Sequence, residues 1–468
     1  MRNIVFLISE VEDIIKTGGL ADVGKALPIA LQKAGHKVTV VMPFYKAIAN
    51  KFALSDALPN QSLYVDEQHY AFAVKHLLFE NIDVYFIDYP KYFGAEDLYA
   101  SNINAERFCF FSQAALVAIE SLQIPTEVLH CHDWHAAMAC YFIRANQQLQ
   151  AHFQQTKTVL TIHNAAFQGV AAIQEIPSLG HYTLPLYTDN GHLNMLKTGI
   201  LYADEVTTVS PTYADELATV LGSHGIHDAV QHRRKAVKGI LNGCDYQQWD
   251  PFTDTMIAQN YHHNDLSGKQ ICKASLQQSF NLPVDSSVPV IGMVCRATLQ
   301  KGFAYLLPII PELLQHKVQL VIVGTGQPDI TQALRDLSQS HPQQFAFIEE
   351  FKPEYAHYVE AGADFFLMPS EFEPCGLNQM YSLAYGTLPI VRAVGGLGDT
   401  VTDIEYADGT GVVFHEPSPA ALLSAIRKAL LFWHATPEAY QAAQKRGMQQ
   451  RFTWQDAARE YEKLYSVI

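Results

Sequence analysis

What most constrains this chain is a recurring alternation: short apolar runs, each followed by a stretch of helical periodicity and a glycine or polar turn. The first unit is a strand at Ile4–Ile8, a helix from about Leu20 to Ala34, a stop at Gly35 and a second strand at Val38–Met42. Further strands are predicted at Val84–Ile87, Glu127–Cys131, Thr158–Ile162 and Glu205–Val209. Continuous apolar runs at βα spacing suit parallel strands covered by helices on both faces. A second series opens near Val288, with strands at Val290–Val294, Leu320–Val323, Phe345–Ile348, Phe365–Met368 and Leu388–Val391. Between the series lie Asn242-Gly243-Cys244-Asp245, Trp249-Asp250-Pro251-Phe252 and the polar His262-His263-Asn264. Glycine and proline interrupt regular structure there, which sets the boundary between domains at 1–245 and 246–468. The expected fold is α/β, with two doubly wound, Rossmann-like domains whose strand ends face an inter-domain cleft. Trp454–Ser466 reads as a helix using Tyr461 and Leu464 as apolar contacts. The sequence leaves open which domain it packs on, a return to the first being one option.

The 468 residues suffice for two cores. Lys and Arg number 32 against 47 Asp and Glu, a net charge of −15. That argues against nucleic acid or an anionic membrane as a partner, and any phosphate site must be a local group of cations and amides. Seven cysteines without a CxxC point away from a disulfide framework and from structural zinc. The N-terminus runs straight into a strand without a signal-peptide pattern, and no apolar run reaches the roughly 20 residues of a membrane helix. The expected setting is reducing and cytoplasmic. Nothing in the pattern specifies an oligomeric state.

Lys16-Thr17-Gly18-Gly19-Leu20-Ala21-Asp22-Val23 follows the first strand and opens a helix. Paired glycines let a ligand approach the backbone, and free amides at a helix start can meet phosphate oxygens beside Lys16. A plain βα turn with a solvent lysine is the alternative. The spacing is neither GxGxxG nor Walker A, which disfavours a dehydrogenase or P-loop reading. Arg296 and Lys301, with Gly302, follow another strand and could hold a diphosphate, or be two surface cations. Gly324-Thr325-Gly326 is a weaker corner of the same kind. His130-Cys131-His132-Asp133-Trp134-His135 and His163-Asn164 end two strands. They suit recognition of a polyhydroxylated substrate, with Trp134 covering an apolar sugar face; capping, core hydrogen bonding or a metal are the competing readings. Ser370-Glu371-Phe372-Glu373-Pro374-Cys375-Gly376-Leu377 lies between a strand and a helix. It can set Glu373 beside a sugar and direct amides near Cys375, Gly376 and Leu377 at phosphates. Cys375 has no activating base nearby in sequence and is a poor nucleophile candidate. Arg392 and Val394-Gly395-Gly396-Leu397-Gly398-Asp399-Thr400 give a further glycine-rich approach, with Thr400 as a cap or phosphate contact.

Taken in order, these segments resemble those of bacterial glycogen synthases and starch synthases across nearly the whole chain. The matching stretches include Lys16–Val23, His132-Asp133-Trp134-His135-Ala136, Thr161-Ile162-His163-Asn164 with Gln168-Gly169, and Lys197-Thr198-Gly199-Ile200. Thr208–Ala214, Gly239–Gly243, Gln300-Lys301-Gly302, Phe372–Leu377, Tyr385–Pro389 and Gly395-Gly396-Leu397 complete them. The resemblance implies a GT-B fold and metal-independent, retaining transfer of glucose from a nucleoside diphosphate to the non-reducing 4-hydroxyl of an α-1,4-glucan. It implies ADP-glucose as preferred donor, with UDP-glucose second, and no further cofactor. By resemblance Lys16, Gly18 and Gly19 meet the donor phosphates from the first domain. Arg296, Lys301 and the Thr400 helix do so from the second. His163 binds glucose hydroxyls, Asp133 lies near the acceptor, Glu373 orients the donor and Phe351 stacks on the base.

The chain departs from the family pattern at Val11-Glu12-Asp13-Ile14-Ile15, Ser370-Glu371, Arg296-Ala297, Phe351-Lys352 and Ser223-His224-Gly225-Ile226-His227. The second acid common in neighbouring GT-B families is Tyr381 here, so a two-glutamate scheme does not carry over. The competing functions are a UDP-glucose-dependent enzyme making a short α-glucoside and a weakly catalytic glucan-binding scaffold.

Overall fold

The computed structural model describes residues 1–95, 98–99, 102–350 and 352–468. They form two compact units, Met1–Asn242 with Trp454–Ile468, and Gly243–Thr453. The sequence-based boundary after residue 245 thus lies three residues beyond the break between the units.

In the first unit the strands are β1 (Asn3–Leu7), β2 (Lys37–Pro43), β3 (Ser55–Val65), β4 (Gln68–Phe79), β5 (Ile82–Asp88), β6 (Val128–His132), β7 (Lys157–Ile162), β8 (Val170–Ala172), β9 (Thr188–Asp189), β10 (His192–Asn194), β11 (Glu205–Thr208) and β12 (Lys238–Gly239). Nine of them make one sheet in the order β12-β11-β7-β6-β1-β2-β5-β4-β3. The strands from β12 to β5 are parallel. They carry the continuous apolar runs, as strands covered on both faces must. β3 and β4 form an antiparallel hairpin that the sequence reading did not predict. Its strands bury only alternate residues, Leu63 and Val65 against Tyr70, Phe72 and Val74, and their polar half masks the pattern.

The second unit holds β13 (Val290–Val294), β14 (Gln319–Val323), β15 (Phe345–Ile348), β16 (Phe365–Met368), β17 (Leu388–Arg392) and β18 (Val412–Phe414). All are parallel, in the order β15-β14-β13-β16-β17-β18, the order of a doubly wound dinucleotide-type domain. Ile291, Leu320, Phe365 and Ile390 are fully buried under helices on one face, and Val290, Val321, Phe366 and Val391 on the other.

The last helix, Trp454–Ser466, buries Trp454, Ala457, Ala458, Tyr461, Leu464 and Tyr465, a stripe at helical spacing. It packs on the first unit, where His36 Nε2 meets Glu462 Oε1 at 3.0 Å and the Tyr465 hydroxyl meets His130 Nδ1 at 2.7 Å. No helix among the described residues is long and apolar enough to cross a membrane.

In both sheets the strand order reverses beside the first strand of the unit, between β1 and β6 and between β13 and β16. Loops leaving the carboxyl ends of such strand pairs diverge and open a crevice, the general position for ligands in this class of fold.

Candidate active site

The two loops at the crevice of the second unit are stitched together. Gly302 adopts φ 82°, and a Cβ there would come within 2.0 Å of the Pro369 carbonyl oxygen, so glycine lets the turn Leu299–Lys301 press against the acidic loop. Glu371 N donates to Gln300 O at 2.8 Å, and Gln300 Nε2 to Phe372 O at 3.4 Å. The result is that Lys301 Nζ lies 2.6 Å from Glu373 Oε2, which also accepts the Ser370 hydroxyl at 2.9 Å. Glu373 and Ser370 are buried, Lys301 half-buried, and Arg296, just past β13, exposed. The second glycine loop belongs to the same assembly: Gly396 N donates to Glu373 O at 3.2 Å, and Gly395 takes φ 42° with its Cβ direction only 2.0 Å from that carbonyl. Arg392 holds the Ser370 carbonyl through Nε at 2.9 Å and the Glu371 carbonyl through Nη2. Cys375, Gly376 and Leu377 lead into the helix Asn378–Ala384, whose Gln379 Nε2 binds the carbonyls of Cys375 at 3.0 Å and Gly376 at 3.1 Å.

One expectation is corrected here. Thr400 is the last residue of the helix Gly395–Thr400 rather than the cap of a following helix, the next regular element being the strand β18. Its buried hydroxyl donates to Gly396 O at 2.6 Å and accepts from Gln379 Nε2 at 3.2 Å, so it braces the loop from inside. Phe351, expected to stack on a base, lies outside the described residues.

In the first unit β1 delivers Glu10, which sequence reasoning did not single out. Its Oε2 accepts from Thr17 N at 2.5 Å and Gly18 N at 3.3 Å, and its Oε1 from Thr17 Oγ1 at 2.8 Å and the Tyr99 hydroxyl at 2.5 Å. Three acids, Glu10, Glu12 and Asp13, lie between β1 and the glycine loop, and only the fold singles out Glu10 among them. Gly18 is extended and Gly19 begins the helix Gly19–Lys33; a Cβ at either would meet no protein atom within 4 Å. The fold itself therefore does not demand glycine at these two positions, unlike Gly302 and Gly395. Lys16 pairs with Glu12 and Asp22, each at 2.8 Å. Glu12 belongs to the segment that departs from the family pattern. Burial acts to lower the Lys16 pKa but Asp22 and Glu12 outweigh it and raise it, while burial lifts Asp22 to about 6 against the pull of Lys16.

At the end of β6, Asp133 takes φ 56° and ψ −176°, a conformation nearly reserved for glycine. Its carboxylate compensates by accepting from His163 N at 2.6 Å and Asn164 N at 3.3 Å, tying β6 to the end of β7. Burial lifts its pKa to about 7, against those two backbone donors. Burial also holds His163 down to about 3, so that ring is neutral at ordinary pH. His163 Nε2 lies 2.9 Å from His132 Nδ1. Trp134 does not form an exposed platform: it is buried against Phe108 and His135, and a Cβ on Gly169 would stand 2.2 Å from its ring. Among the described residues no group of three or more His, Cys, Asp or Glu side chains could hold a metal ion. His130 instead spends one nitrogen on Thr161 Oγ1 at 2.6 Å and the other on Tyr465.

Each unit thus carries polar groups in the loops at its own switch point: in the first, the Gly18 and Gly19 turn with Lys16 and the Asp133–His163 pair, and in the second, Lys301 on Glu373 with Arg296 just past β13. Two known families match the chain, one in each unit. Residues 3–232 match the starch synthase catalytic domain, and residues 275–447 match glycosyl transferases group 1. The chain is 46% identical over 476 residues to the glycogen synthase of Aeromonas salmonicida, covering 99% of this chain and 97% of that protein. It is 46% identical over 478 residues to the glycogen synthase of Photobacterium profundum, covering 99% and 94%. Among solved structures, the catalytic domain of Starch Synthase IV from Arabidopsis thaliana bound to ADP and acarbose superposes with a TM-score of 0.91 at 28% identity, covering 100% of this chain and 99% of that one.

Proposed function

Because the chain belongs to the bacterial glycogen synthase family of GT-B glucosyltransferases, we propose that it transfers glucose from ADP-glucose to the non-reducing 4-hydroxyl end of an α-1,4-glucan, with retention at the anomeric carbon. The observation that carries the reading is the Lys301–Glu373–Ser370 cluster at the switch point of the second unit. A cation there can leave the carboxylate for an arriving diphosphate, and the released carboxylate can take sugar hydroxyls and face the positive charge that develops on the ring. Exposed Arg296 adds a second charge for the departing nucleotide. The ADP bound in the starch synthase relative supports the adenine nucleotide as donor.

On this reading the first unit contributes groups of its own. The amides at Gly18 and Gly19, with Lys16, meet phosphate oxygens. His163, kept neutral, binds a glucosyl hydroxyl without placing a cation beside an oxocarbenium-like transition state. Asp133 holds the His163-Asn164 backbone in place for the acceptor. The diphosphate leaves from the face that the acceptor hydroxyl approaches, and a phosphate oxygen takes the hydroxyl proton. The new glycosidic bond forms as the anomeric carbon–phosphate bond breaks.

The test is a direct assay. Purified protein is given ADP-glucose or UDP-glucose with short maltooligosaccharides or glycogen, while nucleotide release and glucan length are followed. Chain extension that depends on ADP-glucose is the expected result. Faster extension with UDP-glucose would replace the donor, and a single short product would favour the α-glucoside enzyme. Glucan binding without transfer would leave a scaffold, and an inverted anomeric centre would reject retention.

A further inference from the structure

His132 is the last residue of β6 and is fully buried. Its ring packs against both Phe6, with centroids 4.9 Å apart and planes at 23°, and His130, at 4.2 Å, and those two rings lie 4.8 Å from each other. His130 is pinned in turn at both nitrogens, by Thr161 and by Tyr465 of the last helix. The His132 ring therefore has little freedom to turn. Its Nδ1 faces His163 Nε2 at 2.9 Å, so one ring donates the proton of that hydrogen bond and the other accepts it.

The two assignments differ in cost. Among the described residues, His132 Nε2 is buried with no hydrogen-bond partner. If His163 donated from Nε2, neutral His132 would carry its own proton on Nε2, leaving an N–H buried without an acceptor. If His132 donates from Nδ1, its Nε2 holds only a lone pair. Buried orphan N–H groups are the rarer and costlier defect. Both rings are neutral, because burial lowers His132 well below the usual histidine range and His163 to about 3.

We infer that His132 is a positioning residue that fixes His163 as the Nδ1–H tautomer, so that His163 offers its ligand a hydrogen-bond donor and not an acceptor. The ligand atom opposite must then be an acceptor oxygen. On the reading given above, it is a glucosyl hydroxyl, which accepts from His163 and passes its own proton to another acceptor. That last identification rests on the proposed function; the tautomer does not.

Histidine-selective 15N labelling with multiple-bond 1H–15N correlation reads the tautomer in the protein without substrate, and the resonance lost in His163→Gln identifies His163. The expected pattern places its proton on Nδ1. In His132→Phe, which keeps an aromatic ring against Phe6 and His130, the pattern should shift toward Nε2–H, and kcat should fall about ten-fold, the size of one neutral hydrogen bond, with a smaller change in donor KM. An Nε2–H resonance for His163 in the unaltered protein overturns the inference, as does an unchanged tautomer in the variant. A tautomer shift with unchanged kcat would instead uphold the positioning role and remove His163 from contact with the transferred sugar.

Discussion

Lys301 Nζ lies 2.6 Å from Glu373 Oε2, although the two residues are 72 positions apart and leave different strands. The acid thus stands compensated before any ligand arrives. A buried carboxylate without a partner costs several kcal/mol or takes up a proton, and either outcome would spoil it for catalysis. On the proposed function, the pairing also means that the cation and the acid are released together when a diphosphate takes the lysine.

Replacing Glu373 by Gln separates charge from shape. The amide oxygen can still accept from Ser370, so the loop should hold and ADP binding by calorimetry should change by only a few-fold. Turnover should fall about 100- to 1,000-fold, the loss of about 3–4 kcal/mol expected for removing an electrostatic group at a reacting centre. Wild-type turnover by this variant would end the catalytic assignment.

The glycines divide into two classes that substitution can tell apart. Gly19 begins a helix with open space where a Cβ would go, so Gly19→Ala should raise stability by about 0.4–1 kcal/mol through reduced freedom of the unfolded chain. The methyl group would stand where a ligand must approach the amides, and kcat/KM for the donor should drop about 100-fold. Gly395→Ala should instead destabilise by about 1–3 kcal/mol, since φ is 42° and the Glu373 carbonyl blocks the site. Equal stability losses for both would mean that Gly18-Gly19 serves the fold.

The same contrast shows what could be read from sequence. β13, β15, β16 and the last helix have the bounds that their apolar runs suggest, because buried parallel strands and amphipathic helices write their environment into local pattern. The β3–β4 hairpin escaped because half of each strand faces water. The site residues were legible as loops after strands, but their partners were not. Nothing local to Lys301 names Glu373, nothing near Gly18 names Glu10 as the acid on its amide, and Thr400 looks like a cap until its hydroxyl is seen to face Gly396. Trp134 reads as a sugar platform only while Gly169, 35 positions on, is left out.

Asp133 should trade stability for function. Burial raises its folded pKa to about 7 from an ordinary value of 3.8, so between those pH values the folded state holds a proton that the unfolded state has lost. Stability from this group therefore declines as pH rises from about 4 to 7 and then levels, at about 1.4 kcal/mol per pH unit. Asn keeps an acceptor for the His163 and Asn164 amides and does not ionise. Asp133→Asn should thus gain stability against urea at pH 8, gain little at pH 4, and lose turnover. A gain that is the same at both pH values would contradict the buried-acid account.

His135 gives the opposite slope. It is buried among Tyr99, Phe108 and Trp134, with ring centroids 4.9, 4.6 and 4.3 Å away, and its Nδ1 has no partner among the described residues. Burial first, then His163 and Arg107, lower its pKa from 6.5 to about 3. Above pH 6.5 folded and unfolded states agree in protonation and the full stability is present. As pH falls from 6.5 toward 3, the unfolded state takes a proton that the folded state refuses, and stability drops by about 1.4 kcal/mol per unit. Phenylalanine fits an aromatic cage, carries no orphan nitrogen and does not titrate. His135→Phe should therefore exceed the parent by about 1 kcal/mol at pH 8, from the orphan atom alone. At pH 5 the margin should widen by about 2 kcal/mol more, the pH-linked part over one and a half units. Urea unfolding of both proteins at the two pH values measures it, and a margin that stays constant would show that His135 accepts its proton in the folded state.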